Sequence, residues 1–164
     1  MTTDINEGSR EKLVDLLDDM HIAMLTTFGP GGVRSVPMAR QEVEPDAEMW
    51  FITARDTDHV RAIAAEPQVA LTFSSRDAWV ALAGRAAVVE DEAKLRELWS
   101  TFAKAWLPGG PEDPNAALIR VDVERGEYWD TPGGRVASLI SFAKTKLTGD
   151  TYDAEHGAIG QSGG

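Results

Sequence analysis

A chain of 164 residues, 43% apolar and 26% charged, has the size of one domain and enough hydrophobic surface for a real core. Its formal net charge of -11 excludes the basic footprint that nucleic-acid binding needs and argues against anionic membrane surfaces. The lack of cysteine removes disulfides, thiolate metal sites and a cysteine nucleophile.

The first residues, "MTTDINEGSREK", are polar, with no apolar segment of the kind a signal peptide carries. No apolar run approaches the ~20 residues of a membrane span, so the expected location is the cytoplasm. Leu13, Leu16, Leu17 and Met20 fall at i, i+3, i+4 and i+7, predicting an amphipathic helix from about Ser9, as N-cap, to Met20. "HIAMLTTF" reads as a strand and "GPGG" as a turn. "VRSVPMARQEV" reads as the returning strand, although Pro37 cannot donate to a ladder and belongs at an edge or beside a ligand. "EPDAE" is a further turn, and "MWFIT" a third strand.

Asp56 or Thr57 then caps a short helix whose Val60, Ile63 and Ala64 face inward, with Pro67 just past its end. "QVALTFSS" is a fourth strand, and "WVALAGRAAVVE" a long fifth one with Gly84 marking a bulge or close approach. Asp91 caps a helix carrying Leu95, Leu98, Trp99, Phe102 and Trp106, which ends at the Pro- and Gly-rich "LPGGPEDPN". "AALIRVDVE" and "GEYWDT" read as a sixth and a seventh strand. A last helix is expected to present Val136, Leu139, Ile140, Ala143 and Leu147. Residues 1–149 form one domain in this reading, and 150–164, without periodicity, a disordered tail. Tight turns between strands favour antiparallel pairing, hence an α+β, mainly β domain built on a barrel-like sheet.

The chemistry-bearing residues gather around the second and third strands. Arg34, Arg55, His59 and Arg61 form either one anion pocket or a set of solvated charges at strand ends. In the first case a phosphate gains a bidentate arginine contact, free N–H groups of the helix start near Thr57, and hydroxyl donors from Thr53 and Thr57. No GxGxxG or GxxxxGK[ST] pattern is present, which speaks against a dinucleotide or nucleoside-triphosphate loop. His21, His59 and His156 have no metal-ligand spacing, so no metal is expected. Ser35 lacks a nucleophile elbow, and no acid/base pair stands out. Any demanding chemistry therefore falls to a cofactor. Of the five tryptophans, Trp99 reads as core and Trp50 and Trp79 as sheet residues. Trp106 suits a pocket or an interface, and Trp129 a dimer contact or ligand wall.

The ordered set "MLTTFGPGGVRSVPM", "MWFIT", "DTDHVRAIAAEPQVALTFSS", "WVALAGRAAVVED", "LRELW" and "AWLPGGPEDPNAALIRVDVERGEYWD" resembles the flavin-binding split-barrel proteins related to pyridoxamine 5'-phosphate oxidase, and among them the general stress protein branch. The resemblance spans roughly residues 10 to 148. It implies a six-stranded antiparallel split β-barrel with flanking helices, and a homodimer holding flavin mononucleotide (FMN) at the subunit interface. By the same resemblance Arg34 and His59 hold the phosphate, Ser35, Val36, Pro37 and Met38 lie along the isoalloxazine, and Phe51, Ile52 and Thr53 complete the site. The branch usually carries lysine where His59 stands, and true oxidases of pyridoxamine phosphate carry lysine where Ala39 stands. The implied function is therefore a flavin-dependent oxidoreductase or flavin-binding stress protein, not pyridoxamine phosphate oxidation. The alternatives are a non-catalytic flavin carrier, a reductase using a deazaflavin, and a structural dimer whose cleft binds no cofactor.

Overall fold

The computed structural model describes the backbone of residues 2–43, 48–130 and 136–141, and the side chains of 10–41 and 48–130. In chain order the elements are α1 (Thr2–Asp18), β1 (Ile22–Thr27), β2 (Arg34–Val43), β3 (Glu48–Ala54), α2 (Asp58–Ala65), β4 (Gln68–Ser74), β5 (Ala78–Val89), α3 (Glu92–Leu98), α4 (Thr101–Trp106), β6 (Ala116–Asp130) and β7 (Val136–Ser141). The sheet runs β3-β2-β1-β4-β5-β6-β7, and a further β3–β6 pairing closes its first six strands into a barrel. Every pairing is antiparallel. The six-stranded antiparallel barrel with flanking helices expected from the sequence is the observed architecture.

Alternation builds the barrel's inside. Ala23 and Leu25 of β1, Leu71 and Phe73 of β4, and Val80 and Leu82 of β5 are buried, while their neighbours in sequence face outward. Leu13 and Leu17 of α1 join the same cluster. β3 and the start of β6 break the alternation because both of their faces are covered. Met49 and Phe51 enter the barrel core. Trp50 and Ile52 pack outward with Leu95, Leu107 and Leu118, a second cluster under α3 and the loop after α4. Gly84 marks the bulge: Ala83 faces Arg125, Gly84 faces Val123, and Glu124 is the extra residue. A Cβ on Gly84 would run into the Asp122 carbonyl.

Several details differ from the sequence reading, among them Ala64 of α2, which is exposed where Ala62 is buried. α1 starts at Thr2 rather than Ser9, because its polar first turns carry no apolar stripe to announce them. Residues 92–106 form two helices, since the Ser100 hydroxyl accepts the Ala103 N–H and starts a second one. The expected sixth and seventh strands are one, β6, whose Gly126 pairs with Leu82 on one side and Ile140 on the other. Val136, Leu139 and Ile140 lie on strand β7, not on a helix. A short apolar run suits either element, and here the free edge of β6 supplies a partner. At α2, Thr57 holds the N-cap position, but its hydroxyl donates to the Ala54 carbonyl (3.0 Å) instead of capping the helix. Ala143, Leu147 and the tail 150–164 fall outside the described residues.

Candidate functional site

The site begins with a tight turn. Gly32 N–H donates to the Gly29 carbonyl at 2.9 Å, and Gly32 has φ +94°, a conformation that favours glycine. Gly29 is buried, and a Cβ there would lie 2.7 Å from the Ala62 Cβ. Its missing side chain is what lets α2 rest on the β1–β2 hairpin. The hairpin keeps strict register, from Ile22↔Ala39 to Thr27↔Arg34, with Pro37 opposite Met24.

The other edge of β2 is different. β3 pairs with β2 only through Arg40↔Phe51, Glu42↔Trp50 and Val43↔Met49, with a register shift between Arg40 and Glu42. From Arg34 to Ala39 that edge has no partner strand among the described residues. Ile52, Thr53 and Ala54 continue instead along β6, opposite Leu118, Ala117 and Ala116. β2 and β3 thus diverge, and α2 follows directly from β3 beside the split. Pro37 lies on this unpaired stretch, where a missing N–H costs the ladder nothing.

The ten residues expected at the site fall into three sets. Ser35 and Pro37 are exposed on the outer face, and the Ser35 and Thr26 hydroxyls are 2.7 Å apart. Met38 and Phe51 send their side chains into the barrel core, with Val36 packed against it, and Ile52 packs into the outer cluster. Of these four, Ile52 turns its backbone to the split; Phe51 is paired on both edges, and the Val36 and Met38 backbone groups bond to β1, in step with the Arg40 N–H that donates to the His21 carbonyl. Arg34, Thr53, Thr57 and His59 gather at the open end. The His59 Nε2 is 2.8 Å from the Thr53 Oγ1 and 3.2 Å from the Thr57 Oγ1. Thr57 gives its one proton to Ala54, so its contact with His59 is a hydrogen bond only when Nε2 carries the hydrogen. Burial holds the His59 pKa below its ordinary value; Asp58 opposes this and Arg34 adds to it. The His59 imidazole is therefore neutral at pH 7, and its tautomer decides which atom donates to Thr53.

The four cations divide. Arg34 Nη1 lies 2.5 Å from Asp58 Oδ2, and Arg61 Nη2 lies 2.7 Å from Asp58 Oδ1. Arg55 turns away: its guanidinium binds both Glu90 oxygens (2.6 and 3.2 Å) and the Pro114 carbonyl (3.3 Å). It is a strut between β3, β5 and the loop before β6. A surface hollow of about 480 Å³ lies on that side, lined by Arg55, Glu90, Leu95, Arg96, Glu112 and Pro114 among others. None of the ten expected site residues lines it.

Asp58 is the residue that sequence reasoning missed. Its i,i+3 spacing to Arg61 was a legible signal, but its contact with Arg34, 24 positions away, needed the fold. Among the tryptophans, Trp50 is buried with the Lys94 Nζ 5.3 Å from its ring centre. Trp99 packs against the outer cluster. Trp79 stands opposite Trp129 in register on the outer face. Trp106 is 73% exposed, beside Phe102 at 6.3 Å. No group of three or more His, Asp or Glu suited to a metal occurs among the described residues, and no described helix is long and apolar enough to cross a membrane.

The donor set fits a phosphate monoester attached to a flat ring. Arg34 and Arg61 are cations, and His59 and Thr57 lie at the start of α2. No side chain caps that helix's first amides, which leaves them to an anion. The unpaired β2 edge offers backbone groups to a planar heterocycle.

Comparison with known proteins agrees with this fold. Residues 8–153 match the family model described as pyridoxamine 5'-phosphate oxidase like. A general stress FMN/FAD binding protein from Xanthomonas citri superposes with a TM-score of 0.68 at 27% identity, over 78% of this chain and 92% of that one. A putative general stress protein 26 from Jannaschia sp. CCS1 gives 0.67 at 32% identity, over 78% and 82%. Protein bli-3 of Neurospora crassa is 24% identical over 112 residues, 62% of this chain, which spans about half (54%) of that protein's length. With a barrel split between β2 and β3 and a family model covering nearly its whole length, the chain belongs to the pyridoxamine 5'-phosphate oxidase-like family, beside proteins named general stress protein 26.

Proposed function

We propose that this protein binds FMN in the split between β2 and β3 and acts as a flavin-dependent oxidoreductase or stress-response flavoprotein. The observation that carries the reading is the unpaired β2 edge, Arg34–Ala39, ending beside the uncapped start of α2. In this reading Arg34 takes the phosphate beside the uncapped first amides of α2, and His59 and Thr57 donate to it by exchanging their bonds to Thr53 and Ala54 for the phosphate. The backbone from Ser35 to Met38 flanks the ring system, and Ile52 and Thr53 close the opposite side, with Phe51 supporting them from the barrel core. A bound flavin supplies the electron and hydride chemistry; the chain binds it, orients it and shields one edge from water. The FMN/FAD binding named for the Xanthomonas citri protein supports the ligand class.

The cofactor site is completed by a second subunit in this proposal. Ile22, Met24 and Trp79, each about 39–45% exposed on the outer face, give that partner an apolar surface. A cytoplasmic setting fits the composition. The absorption spectrum of the purified protein is the test. A flavin band, or its appearance on titration with FMN, is expected; a colourless protein that ignores added FMN removes the reading.

A carrier without turnover is the second reading. The ionisable groups at the split are engaged with one another, His59 with two threonines and Asp58 with two arginines, which leaves none of these poised to move a proton. Reduction by a nicotinamide donor followed by turnover on an acceptor distinguishes enzyme from carrier.

A further inference from the structure

Asp58 stands where an anion would. It is the first residue of α2, so its carboxylate sits at the helix end that attracts negative charge. Its two oxygens bind two guanidinium groups from different elements, Oδ2 with Arg34 of β2 and Oδ1 with Arg61 of α2. Two anionic oxygens held by two arginines at a helix start is the arrangement a phosphate monoester adopts. All three side chains are more than half exposed, at 56%, 56% and 63%. Solvated pairs of this kind exchange readily and contribute little to the fold. Asp58 can release Arg34 and keep Arg61, its i,i+3 neighbour on the same helix. With His59 neutral, two guanidinium charges and one carboxylate leave the corner at +1.

We propose that Asp58 is a specificity-determining residue, an internal anion that competes with a ligand's phosphate for Arg34 and so sets how much the phosphate adds to binding. The proposal rests on the flavin reading for the ligand's identity, but not for the competition itself. A phosphate entering the corner displaces the carboxylate from Arg34 and then lies beside its negative charge. The phosphate consequently adds less to affinity than Arg34 alone would allow. The protein discriminates weakly between phosphorylated and unphosphorylated forms of one ring system.

The test compares wild type with Asp58→Asn, and with Asp58→Ser as a second, smaller uncharged variant that leaves the N-cap residue Thr57 in place. Inorganic phosphate is titrated first, at constant ionic strength, with the thermal midpoint as readout. Phosphate should bind the variants about three- to tenfold tighter, the size expected on removing one charge from a solvated pocket. Adding Arg34→Ala should erase the gain. Equal phosphate responses in wild type and both variants overturn the proposal, whatever flavin does. FMN and riboflavin are titrated next. FMN should tighten by a similar factor in Asp58→Asn, and riboflavin should stay within about twofold. Equal tightening of both, or weaker FMN binding, overturns the proposal, because Asp58 would then act on the ring or position Arg34. If phosphate behaves as expected while neither flavin binds any of the proteins, the competition stands and the flavin reading falls.

Discussion

β3 passes through two environments, and they teach different things. From Met49 to Phe51 it has β2 on one edge and β6 on the other, and both faces are buried. From Ile52 to Ala54 it keeps β6 but loses β2. The first half is a closed seam in which every backbone group has a ladder position and every side chain has neighbours. The second half borders a split where pairing is given up and polar side chains collect. The seam carries the burial, and the proposed ligand falls to the split, where unpaired backbone and solvated charge are free to recognise one.

Substitutions sharpen that division. Phe51→Ala, in the seam, removes a ring with 0% exposure from the barrel core and should cost about 3–5 kcal/mol of stability, read from urea unfolding. A loss below about 1 kcal/mol would mean that the seam does not carry the fold. Arg34→Ala, in the split, should do the reverse. Flavin binding should weaken by about 1.5–3 kcal/mol, the range for a charge-assisted hydrogen bond, while the unfolding midpoint hardly moves. Unchanged flavin affinity by titration would remove Arg34 from the site.

Gly29→Ala tests the joint between the two regions. Its new methyl group meets Ala62, and overpacking of this kind costs about 1–3 kcal/mol. Adding Ala62→Gly opens the space again, so the double variant should recover part of the loss despite the ~1 kcal/mol helix cost of glycine. Strict additivity of the two would show that the contact does not set the position of α2.

Smaller effects concern His59. Its folded pKa lies below the ordinary value of about 6.5, so in that window the unfolded chain holds a proton that the folded chain does not. Its contribution to stability is present above about pH 6.5 and is lost as pH falls through the folded pKa. His59→Gln should flatten that part of the pH–stability profile, measured by thermal unfolding between about pH 8 and 5. A profile identical to wild type would place the titration elsewhere. His59→Lys should keep or tighten FMN binding; a clear loss would show that the imidazole's bonds to Thr53 and Thr57 outweigh a second charge.

Much of the seam was legible in the sequence. Alternation in "QVALTFSS" and "WVALAGRAAVVE" and the unbroken apolar run "MWFI" carry their burial in their spelling. Gly84 announced a bulge because only a residue without Cβ passes the Asp122 carbonyl. The turn at Gly29–Gly32 and the cation on Arg34 were equally plain. What stayed hidden were long-range choices. Val136, Leu139 and Ile140 suit a helix face or a strand, and an edge of β6 decided between them. Arg55 and Arg34 are the same residue type within 21 positions of each other, yet one became a strut and the other remained at the split.

Local physics therefore determined the strands, the turn and most of the core by itself, since side-chain period and turn chemistry act over a few residues. The order of those pieces carried the family resemblance. Tertiary structure alone decided where β2 and β3 part, that Pro37 falls on the edge they abandon, and that Asp58 closes on Arg34. Each of these is a contact between distant segments, made only once closure of the barrel by β3 and β6 fixes which edges have partners and which do not.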